Sequence, residues 1–505
     1  MAYVLGLDVG TSGLKAVLLD ATGATIDEAT ADYPLHTPRP GWTEQDADDW
    51  WAAAQRVLHD LWARGHRPSD LEGIGLSGQM HSLVLVDQTG QVCAPAILWS
   101  DQRTAAECEQ IARRIGTAAL LAQTGNLALP GFTAPKLLWV ARHWPDAYRR
   151  AATLLLPKDF LRYRLTGALA TDVSDASGTL LFDVRQRRWS EDVVDALGIA
   201  RGLLPPAYEG TAQTGSVSRP AAAATGLLAG TPVVAGAGDN AAAAVGVSAI
   251  DPGVLMLSIG TSGVLFAPLR DYPSHVDGRV HVFCHALPGR WHLMAVTLSA
   301  GGSLRWLRDV VAPPLPVAGE EAYAWLMQRA ATAPPGAAGL VFLPYLSGER
   351  SPYVDPLARG VFFGLHLGHR LEHLTRSVLE GVAFSQRQGL ALMRASGASA
   401  EVVRGAGGGL QSAVWRQILA DVLGIGVQTT TAPTGAARGA AVLAGLGIGL
   451  YAGPDVGIAW AEQRLEAPRP PAAELEGAWH VYERLYGALA PIFAAAGLDA
   501  IDRGA

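Results

Sequence analysis

One strand–turn–strand pattern occurs twice in the sequence. The turn Gly-Thr-Ser-Gly fills residues 10–13 and returns at residues 260–263, and apolar runs flank both copies. A short glycine-containing turn between two apolar runs is typical of a β-hairpin. The copies differ just before the turn, where the first has Asp8 and the second has Ser258. The repeat predicts two similar lobes, each built around one such hairpin.

The length of the chain agrees with two lobes. At 505 residues it exceeds what one ordinary hydrophobic core accommodates. Alternating strand-like and helix-like segments predict an α/β fold. We expect a first domain over residues 1–246 and a second over residues 247–505.

Helical spacing of apolar residues marks several segments. DADDWWAAAQRVLHDLWARG (46–65) has acidic residues in its first turn and an apolar stripe behind them. The same spacing predicts a long helix over 371–395 and a core helix within 410–424. EEAYAWLMQRA (320–330), between the proline-rich stretches VVAPPLP and TAPPGAAG, predicts a surface helix in an insertion.

Composition excludes several classes of protein. The chain is 49% hydrophobic and 17% charged with a net charge of −7, so it has no broad basic field for nucleic acid. No apolar stretch is long enough to span a membrane. Three cysteines in so long a chain, and an N-terminus unlike a signal peptide, predict a cytoplasmic protein.

The doubled turn has a chemical interpretation. Successive backbone N–H groups and hydroxyls in such a turn form a nest for anionic oxygen. Either turn alone is compatible with an ordinary hairpin, since short motifs match by chance. Two turns at matching places allow each lobe to hold a different part of one polyphosphate across a cleft. The pair therefore favours nucleotide binding.

Several further stretches resemble the FGGY carbohydrate kinases, within the actin, hexokinase and Hsp70 superfamily. The phosphate and nucleotide motifs are DVGTSG from Asp8, GAGDNAAAAVG from Gly236, SIGTSG from Ser258 and GAGGG from Gly405. The longer stretches GFTAPKLLWVARH and GVFFGLHLGHRLEHLTRSVLEG match signatures of the family, and SGQMHSLVLVD, PAILWSDQR and FLPYLSGERSP follow in the family's order.

This resemblance covers nearly the whole chain. It implies two ribonuclease H-like domains around a central cleft. It also implies ATP-dependent phosphorylation of D-xylulose to D-xylulose 5-phosphate. The expected partners are the small molecules D-xylulose and MgATP, and a homodimer is one assembly that the sequence leaves open.

Two aspartates are the candidate catalytic residues. Asp239 lies where a glycine turn meets a helix N-terminus, which predicts a fixed general base for the sugar hydroxyl; the alternative is a helix cap alone. Asp8 adjoins the first turn, where a carboxylate would repel phosphate unless a cation lay between them, so it is the candidate Mg²⁺ ligand, through water. Its alternative is an Asx turn at a strand end.

The resemblance assigns Met80 and His81 to the sugar, and an imidazole beside a thioether suits a molecule with hydroxyl edges and one apolar face. Without the resemblance, His81 would be a structural histidine. Asn240 could bind hydroxyls or cap a helix. The remaining sugar-binding candidates are Gln79, Trp99 and Asp101.

The candidate nucleotide contacts come from both lobes. Glycines near residue 408 would let a flat base approach the backbone, or would merely form a tight turn. Lys15 is placed to reach phosphate. The full set of candidates is Gly10, Thr11, Ser12, Lys15, Gly260, Thr261, Ser262, Gly407, Gly408, Gly409 and Ser412.

Alternatives remain open. A sister kinase acting on ribulose, a pentitol such as arabitol, or glycerol would keep every phosphate motif, and an Hsp70-like or actin-like nucleotide switch would keep the nucleotide site alone. HVFCH, with His281, Cys284 and His285, superficially suggests metal ligands, but it lacks a CxxC partner and predicts packing without zinc.

Overall fold

The computed structural model describes residues 2–311, 320–431, 435–460 and 463–495. The strands of the first half are β1 (Tyr3–Val9), β2 (Gly13–Asp20), β3 (Thr25–Asp32), β4 (Glu44–Gln45), β5 (Leu71–Gly78), β6 (Val84–Val86), β7 (Ala96–Ile97), β8 (Thr153–Leu155), β9 (Thr171–Asp172), β10 (Phe182–Asp183), β11 (Arg188–Trp189), β12 (Ala207–Tyr208), β13 (Gln213–Ser216), β14 (Pro232–Val234) and β15 (Ala237–Gly238). Those of the second half are β16 (Gly253–Ile259), β17 (Gly263–Leu269), β18 (His281–Cys284), β19 (Trp291–Thr297), β20 (Val341–Leu343), β21 (Val361–Phe363), β22 (Ala400–Ala406), β23 (Gly426–Thr429) and β24 (Arg464–Glu466).

The helices alternate with these strands. They are α1 (Ala47–Ala63), α2 (Ala105–Ile115), α3 (Thr117–Thr124), α4 (Thr133–His143), α5 (Pro145–Arg150), α6 (Pro157–Thr166), α7 (Val173–Ser177), α8 (Glu191–Leu197), α9 (Arg219–Thr225), α10 (Asp239–Gly246), α11 (Gly301–Val311), α12 (Glu320–Thr332), α13 (Leu371–Ala395), α14 (Ala413–Leu423), α15 (Ala436–Gly447) and α16 (Ala473–Ala495). None of the helices in the described ranges is long and apolar enough to cross a membrane.

Each lobe is centred on one mixed sheet. The first sheet runs β13-β14-β5-β1-β2-β3, and β15 adds to β5 beyond the end of β14. The second sheet runs β18-β19-β17-β16-β22-β23-β24. In both, an antiparallel hairpin (β1 with β2, β16 with β17) is followed on one side by parallel pairing (β1 with β5, β16 with β22). The repeated order and strand directions show that the two GTSG turns occupy equivalent places.

Helix α1 illustrates how the sequence determines the first lobe. The Asp46 side chain caps its N-terminus by accepting the N–H of Asp48, and acidic residues in the first turn suit the positive end of the helix dipole. Every residue of the predicted stripe is buried, which confirms the spacing argument; the stripe is Trp50, Trp51, Ala54, Val57, Leu58 and Leu61.

Glycines let the lobes pack closely on two central helices. A Cβ added to Gly75 of β5 would lie 1.8 Å from the carbonyl oxygen of Ala440 in α15. A Cβ on Gly439 of α15 would lie 1.7 Å from the carbonyl oxygen of Ala242 in α10. Helix α15, from the second half of the chain, therefore lies directly against the first sheet and against α10. This contact leaves the two GTSG turns at matching strand ends.

Candidate active site

The first turn directs its carbonyl groups inward. The Gly10 oxygen accepts from the Tyr33 hydroxyl and from Gln79 Nε2 (3.3 Å), and the Thr11 oxygen accepts from Gln45 Nε2 (2.7 Å). The amide N–H groups of Thr11 and Ser12 donate to no residue in the described part of the chain. A turn with its carbonyls bound and its amides free is arranged to receive an anion.

The second turn is built in the same way from different supports. The N-terminus of α11 lies behind it, where Gly301 N donates to the Gly260 oxygen (2.8 Å) and Ala300 N donates to the Thr261 oxygen (2.8 Å). The amides of Thr261 and Ser262 likewise bond to none of the described residues. Both turns thus present free N–H donors, as the sequence predicted.

Asp8 lies in β1 opposite Lys15 of β2 and Ser77 of β5. Burial raises the pKa of its carboxyl to about 6, and the Ser77 hydroxyl and the Lys15 ammonium counteract part of that effect. Its Oδ1 atom is buried and bonds to no described residue. A buried carboxylate oxygen without a partner is costly unless a ligand satisfies it.

Asp239 is the first residue of α10 and directly follows β15, which pairs with β5 so that Ala237 lies opposite Ser77. Asp239 Oδ1 accepts from the backbone N–H of Asn240 (2.7 Å) and from its Nδ2 (2.9 Å). Burial raises the pKa of Asp239 to about 7, and the charge of Asp8 adds to the rise. The structure therefore brings the two predicted aspartates together across β1, β5 and β15.

Met80 and His81 lie beside this pair. A Cβ on Gly238, the residue before Asp239, would lie 2.7 Å from Met80 Cγ, so Met80 packs against the start of α10. The His81 ring packs against Phe132 at 4.6 Å between centroids, and its Nδ1 lies 2.6 Å from the Gly178 carbonyl oxygen. Because that contact requires a proton on Nδ1, the Nε2 atom is an acceptor.

A buried lysine donates a hydrogen bond to the His81 backbone. Lys136 of α4 is fully buried and donates to the carbonyl oxygens of His81 (3.0 Å) and Gly131 (2.6 Å). His81 itself has a left-handed backbone, with φ at 69°. Burial, together with the nearby Lys136 and Arg350, lowers the pKa of His81 to about 3. The ring is therefore neutral at physiological pH.

Two side chains predicted to contact the sugar, Asp101 and Gln79, are hydrogen-bonded within the protein. Asp101 is fully buried: Oδ1 accepts from the N and Nε of Arg103 (both 2.9 Å), and Oδ2 accepts from Thr43 N and Arg103 Nη2 (both 2.7 Å). All four acceptor positions are used within the protein, so the structure gives Asp101 a structural role, and its contact with the sugar stays a prediction. Gln79 is 1% exposed and supports the first turn instead of facing the cleft.

Trp99 and Lys15 also adjoin the first turn. Trp99 Nε1 donates to the Thr11 hydroxyl at 2.9 Å. Lys15 Nζ forms an ion pair with Glu28 Oε2 at 2.8 Å, and both side chains are about a third or more exposed. An exposed pair of this kind contributes little, so Lys15 remains a predicted phosphate contact whose partner in this structure is a carboxylate.

A cavity of about 760 Å³ opens beside the second turn. Its volume falls within the range of ligand pockets. Five predicted nucleotide residues line it, namely Gly260, Thr261, Gly408, Gly409 and Ser412. The remaining lining residues were not anticipated as contacts; they are Ile259, Gly301, Leu304, Arg305, Tyr323, Ala324, Met327, Gln411 and Trp415.

Glycines shape one wall of this cavity. Gly407 has a φ of 90°, and a Cβ on it would lie 2.7 Å from the Ile259 oxygen, whereas a Cβ on Gly408 would meet nothing within 4 Å. Gly408 therefore faces open space. The Ser412 hydroxyl caps α14 by accepting the Trp415 N–H (3.4 Å). Ser412 thus has a helix-capping role in addition to its place in the cavity wall.

Helix α12 lines the cavity with one of its faces. The sequence predicted a surface helix, and Glu321, Gln328 and Arg329 are exposed, whereas Tyr323 and Met327 line the cavity. The neighbouring proline-rich residues 312–316 lie outside the described residues. The sequence showed that α12 has an apolar face, but it did not show that this face lies across a cavity from Gly408 and Gly409.

The HVFCH segment forms the edge strand β18 of the second sheet and packs against both halves of the chain. His281 Nδ1 lies 2.9 Å from Asn126 Oδ1, Cys284 Sγ donates to the Val184 oxygen (3.4 Å), and the ring of His285 packs against Phe266. All three are buried. The expected absence of zinc stays a prediction.

Comparison with known proteins identifies the family. The model of the N-terminal domain of the FGGY family of carbohydrate kinases matches residues 3–246, and that of the C-terminal domain matches residues 255–448. The chain belongs to the FGGY family of carbohydrate kinases. The predicted kinase activity and the resemblance are confirmed. The division after residue 246 stays a prediction.

Individual relatives are similar to this FGGY kinase over nearly its whole length. The xylulose kinase of Escherichia coli K12 is 42% identical over 497 residues, which are 97% of this chain and 100% of that protein. The xylulose kinase of Klebsiella pneumoniae is 43% identical over 441 residues, 87% of this chain and 89% of that protein. The crystal structure of a xylulose kinase from Brucella ovis is 38% identical with a TM-score of 0.89, covering 97% of this chain and 99% of that one. The predicted fold, two ribonuclease H-like domains of the actin, hexokinase and Hsp70 superfamily, is confirmed.

Proposed function

We propose that this FGGY kinase transfers the γ-phosphoryl group of ATP to the 5-hydroxyl of D-xylulose, forming D-xylulose 5-phosphate and ADP. The observation that carries the proposal is the juxtaposition of Asp239 with Met80 on one side and Asp8 on the other. An apolar contact for the sugar, a base for its hydroxyl and a cation ligand then lie in sequence. The identity with xylulose kinases over nearly the whole chain supports the choice of sugar.

The base is Asp239. Its Oδ1 is occupied by two bonds from Asn240, whereas Oδ2 receives none from the described residues and is available to a sugar hydroxyl. A pKa of about 7 suits a group that takes a proton at neutral pH. Asp239 Oδ2 accepts the proton as the hydroxyl oxygen bonds to phosphorus and the bond to the ADP oxygen breaks. The proton leaves Asp239 after product release.

The sugar is held by neutral groups. His81 Nε2 accepts a hydroxyl hydrogen, since its Nδ1 is held by Gly178. Met80 offers a soft apolar contact to the carbon chain. Asn240 has a free side-chain oxygen and one further N–H for the hydroxyl next to the reacting one. Neutral groups here leave the charge of Asp239 as the main negative field on the reacting hydroxyl.

Asp8 is the residue that fits Mg²⁺. Its buried, unpartnered Oδ1 is an oxygen of the type that Mg²⁺ prefers. When bound, the ion supplies positive charge that neutralises phosphate oxygens and lowers the repulsion from Asp8 and Asp239. The carboxylate of Asp8 holds the ion, directly or through water.

The two turns and the cavity hold ATP. The free amides of Thr11 and Ser12, and those of Thr261 and Ser262, donate to phosphate oxygens and spread the charge that develops during transfer. The base and ribose lie in the cavity beside Gly408, with Tyr323 on the opposite helix. Closure of the lobes excludes water, which would otherwise compete as a nucleophile. We further infer that the enzyme works in the cytoplasm, which agrees with free Cys93, Cys108 and Cys284.

The experiment is a substrate panel. Purified enzyme with MgATP is given D-xylulose, D- and L-ribulose, D-arabitol, xylitol and glycerol, ADP release is followed, and the phosphorylated carbon is assigned by NMR. We expect the highest kcat/KM with D-xylulose and phosphate on C5. A higher kcat/KM with any other sugar or polyol contradicts the assignment. The variant His81→Ala should raise the KM for the sugar and leave the KM for ATP unchanged.

A further inference from the structure

The second lobe extends one arginine to the wall of the sugar site. Arg350 lies in the loop between β20 and β21, in the segment SGERSP. A Cβ built on Gly131 would lie 3.3 Å from Arg350 Nη2 and 2.8 Å from the Trp99 carbonyl oxygen. The oxygen of Gly131 shares the Lys136 ammonium with the oxygen of His81. The guanidinium of Arg350 therefore ends at the same short segment that positions His81.

The Arg350 guanidinium has no hydrogen-bond partner within the described ranges. Only its backbone N–H is engaged, with Glu349 Oε1 at 2.8 Å, and its side chain forms no hydrogen bond or ion pair with the residues that the structure describes. It is half-buried. A partly desolvated cation without a hydrogen-bond acceptor is costly, and a bound ligand can supply the missing acceptors.

The neighbouring groups do not neutralise it. Glu349 is 3% exposed, its Oε1 is bound by two backbone amides, and burial raises its pKa to about 8, so it is largely protonated at neutral pH. Lys136 is a hydrogen-bond donor whose pKa burial lowers well below its usual range, and the His81 ring is neutral. Among the described residues, the Glu349 carboxyl and the Trp99 carbonyl oxygen lie nearby without a hydrogen bond to the guanidinium, so its N–H donors are available to a ligand.

We propose that Arg350 is a substrate-binding and specificity-determining residue, contributed by the second lobe, whose guanidinium donates to the carbonyl oxygen of a bound ketose and to a neighbouring hydroxyl oxygen. The proposal rests on the proposed function insofar as the substrate is a ketose. A guanidinium has five N–H donors and no acceptor, and a carbonyl oxygen accepts only, so the two groups are complementary. In this arrangement His81 accepts hydrogen bonds from sugar hydroxyls, and Arg350 donates hydrogen bonds to the carbonyl oxygen.

Arg350 would also couple the lobes. The other groups proposed for the sugar, Met80, His81, Asp239 and Asn240, belong to the first half of the chain. A sugar bridging His81 and Arg350 ties the second lobe to the first, so sugar binding favours the closed cleft in which phosphate transfer takes place.

The test compares Arg350→Met with the wild-type enzyme on the ketose and on the two pentitols, xylitol and D-arabitol, that replace its carbonyl with a hydroxyl. Loss of hydrogen bonds from a charged donor should raise the KM for the ketose roughly 10- to 100-fold. The inhibition constants of the pentitols should rise by less, because a hydroxyl is the weaker and less well-oriented acceptor. The KM for ATP should stay unchanged. Arg350→Lys keeps the charge but loses the planar guanidinium, so its KM for the ketose should lie between those of the wild type and Arg350→Met.

Arg394→Met is the matched control, because it removes the same charge from an exposed position on α13 of the same lobe. It should leave every constant unchanged. If Arg350→Met loses its fold, as judged by circular dichroism and ATP binding, Arg350→Lys and Arg350→Gln decide the question.

A ketose KM within about twofold of wild type in a folded variant overturns the proposal. Equal losses for ketose and pentitols overturn the assignment to the carbonyl. If the wild-type enzyme prefers another ketose to D-xylulose, the proposed function fails while the Arg350 proposal is tested on that ketose. If its best substrate has no carbonyl group, both fail.

Discussion

Replacing Asp239 with asparagine should have opposite effects on stability and on turnover. Folding removes this carboxyl from water and places it near Asp8, so its pKa rises from 3.8 to about 7. A change of that size in pKa corresponds to roughly 4 kcal/mol of free energy spent on holding the ionised form in the folded state. An amide of the same shape has no such cost.

The pH dependence follows from the direction of the pKa change. Between about pH 4 and pH 7 the folded state holds a proton on Asp239 that the unfolded state has released, so stability falls as the pH rises through this range. Above pH 7 Asp239 is ionised in both the folded and the unfolded state, and the loss of stability is complete. We expect Asp239→Asn to gain roughly 2 to 4 kcal/mol at pH 7.5, and less than half as much at pH 5.

The measurement is thermal unfolding of the free enzyme in EDTA at both pH values. A gain of this size should raise the Tm by several degrees at pH 7.5. Asp192→Asn is the control, because Asp192 lies in the first turn of α8 and is exposed; its Tm should change little and equally at both pH values. A Tm for Asp239→Asn that does not rise at pH 7.5 refutes the electrostatic argument.

The kinetic result is independent of the stability result. Loss of the general base should lower kcat by at least about 10²-fold while sugar and ATP still bind. Turnover near that of wild type would remove Asp239 from the role of base even if the variant were stabilised. Both results together would show that this site trades stability for activity.

Three further predictions follow from the packing. Asp101→Asn should cost about 3 to 5 kcal/mol of unfolding free energy, because it weakens the pairing of buried Arg103, and should leave the sugar KM unchanged; a raised sugar KM would restore Asp101 to the pocket. Gly408→Leu should raise the KM for ATP at least about tenfold by filling the cavity, with the sugar KM constant. Gly75→Ala should abolish soluble expression or lower the Tm sharply, since its Cβ would lie 1.8 Å from the Ala440 oxygen.

Much of the fold could be predicted because local signals and long-range structure agree. The helix predicted over 371–395 is α13 at the same residues, and the doubled turns lie at equivalent strand ends. The strand order could not be predicted, because β1 pairs with β5 across an intervening helix and the sequence does not record which apolar runs lie side by side. Gly75 gave no local sign that α15 packs on it, and Gly439 of α15 gave none that it packs on α10.

The candidate site was predictable where a motif carries the chemistry. Asp8 and Asp239 each follow a glycine-rich or strand-end pattern that limits their direction, and the structure brings them together. The structural role of Asp101 was not predicted, because WSDQR places an acid beside a pocket motif and the arginine two residues later turns back to bind it. An i to i+2 ion pair of this kind depends on loop geometry that the sequence does not define.

Contacts between distant segments could not be predicted where no motif marks them. Arg350 occurs in a stretch that resembles the family, yet nothing in SGERSP indicates that its side chain ends at Gly131. The same is true of Tyr323 and Met327, whose helix looks like an ordinary amphipathic surface helix until the cavity is seen. These contacts depend on how the lobes are assembled.

The difference between Asp8 and Ser258 follows from charge. The two turns have matching strands and matching free amides, so a carboxylate before each would place negative charge at both ends of a highly charged triphosphate. With Asp239 already near Asp8, a third carboxylate would need further compensation, and the strand partners of Ser258, Val264 and Ala406, carry no charge. A cation at Asp8 can compensate the first cradle alone. The second cradle must therefore be neutral, and a hydroxyl at position 258 can donate to phosphate where a carboxylate would repel it. A duplicated fold can thus hold one asymmetric ligand because a single strand-end residue differs between its halves.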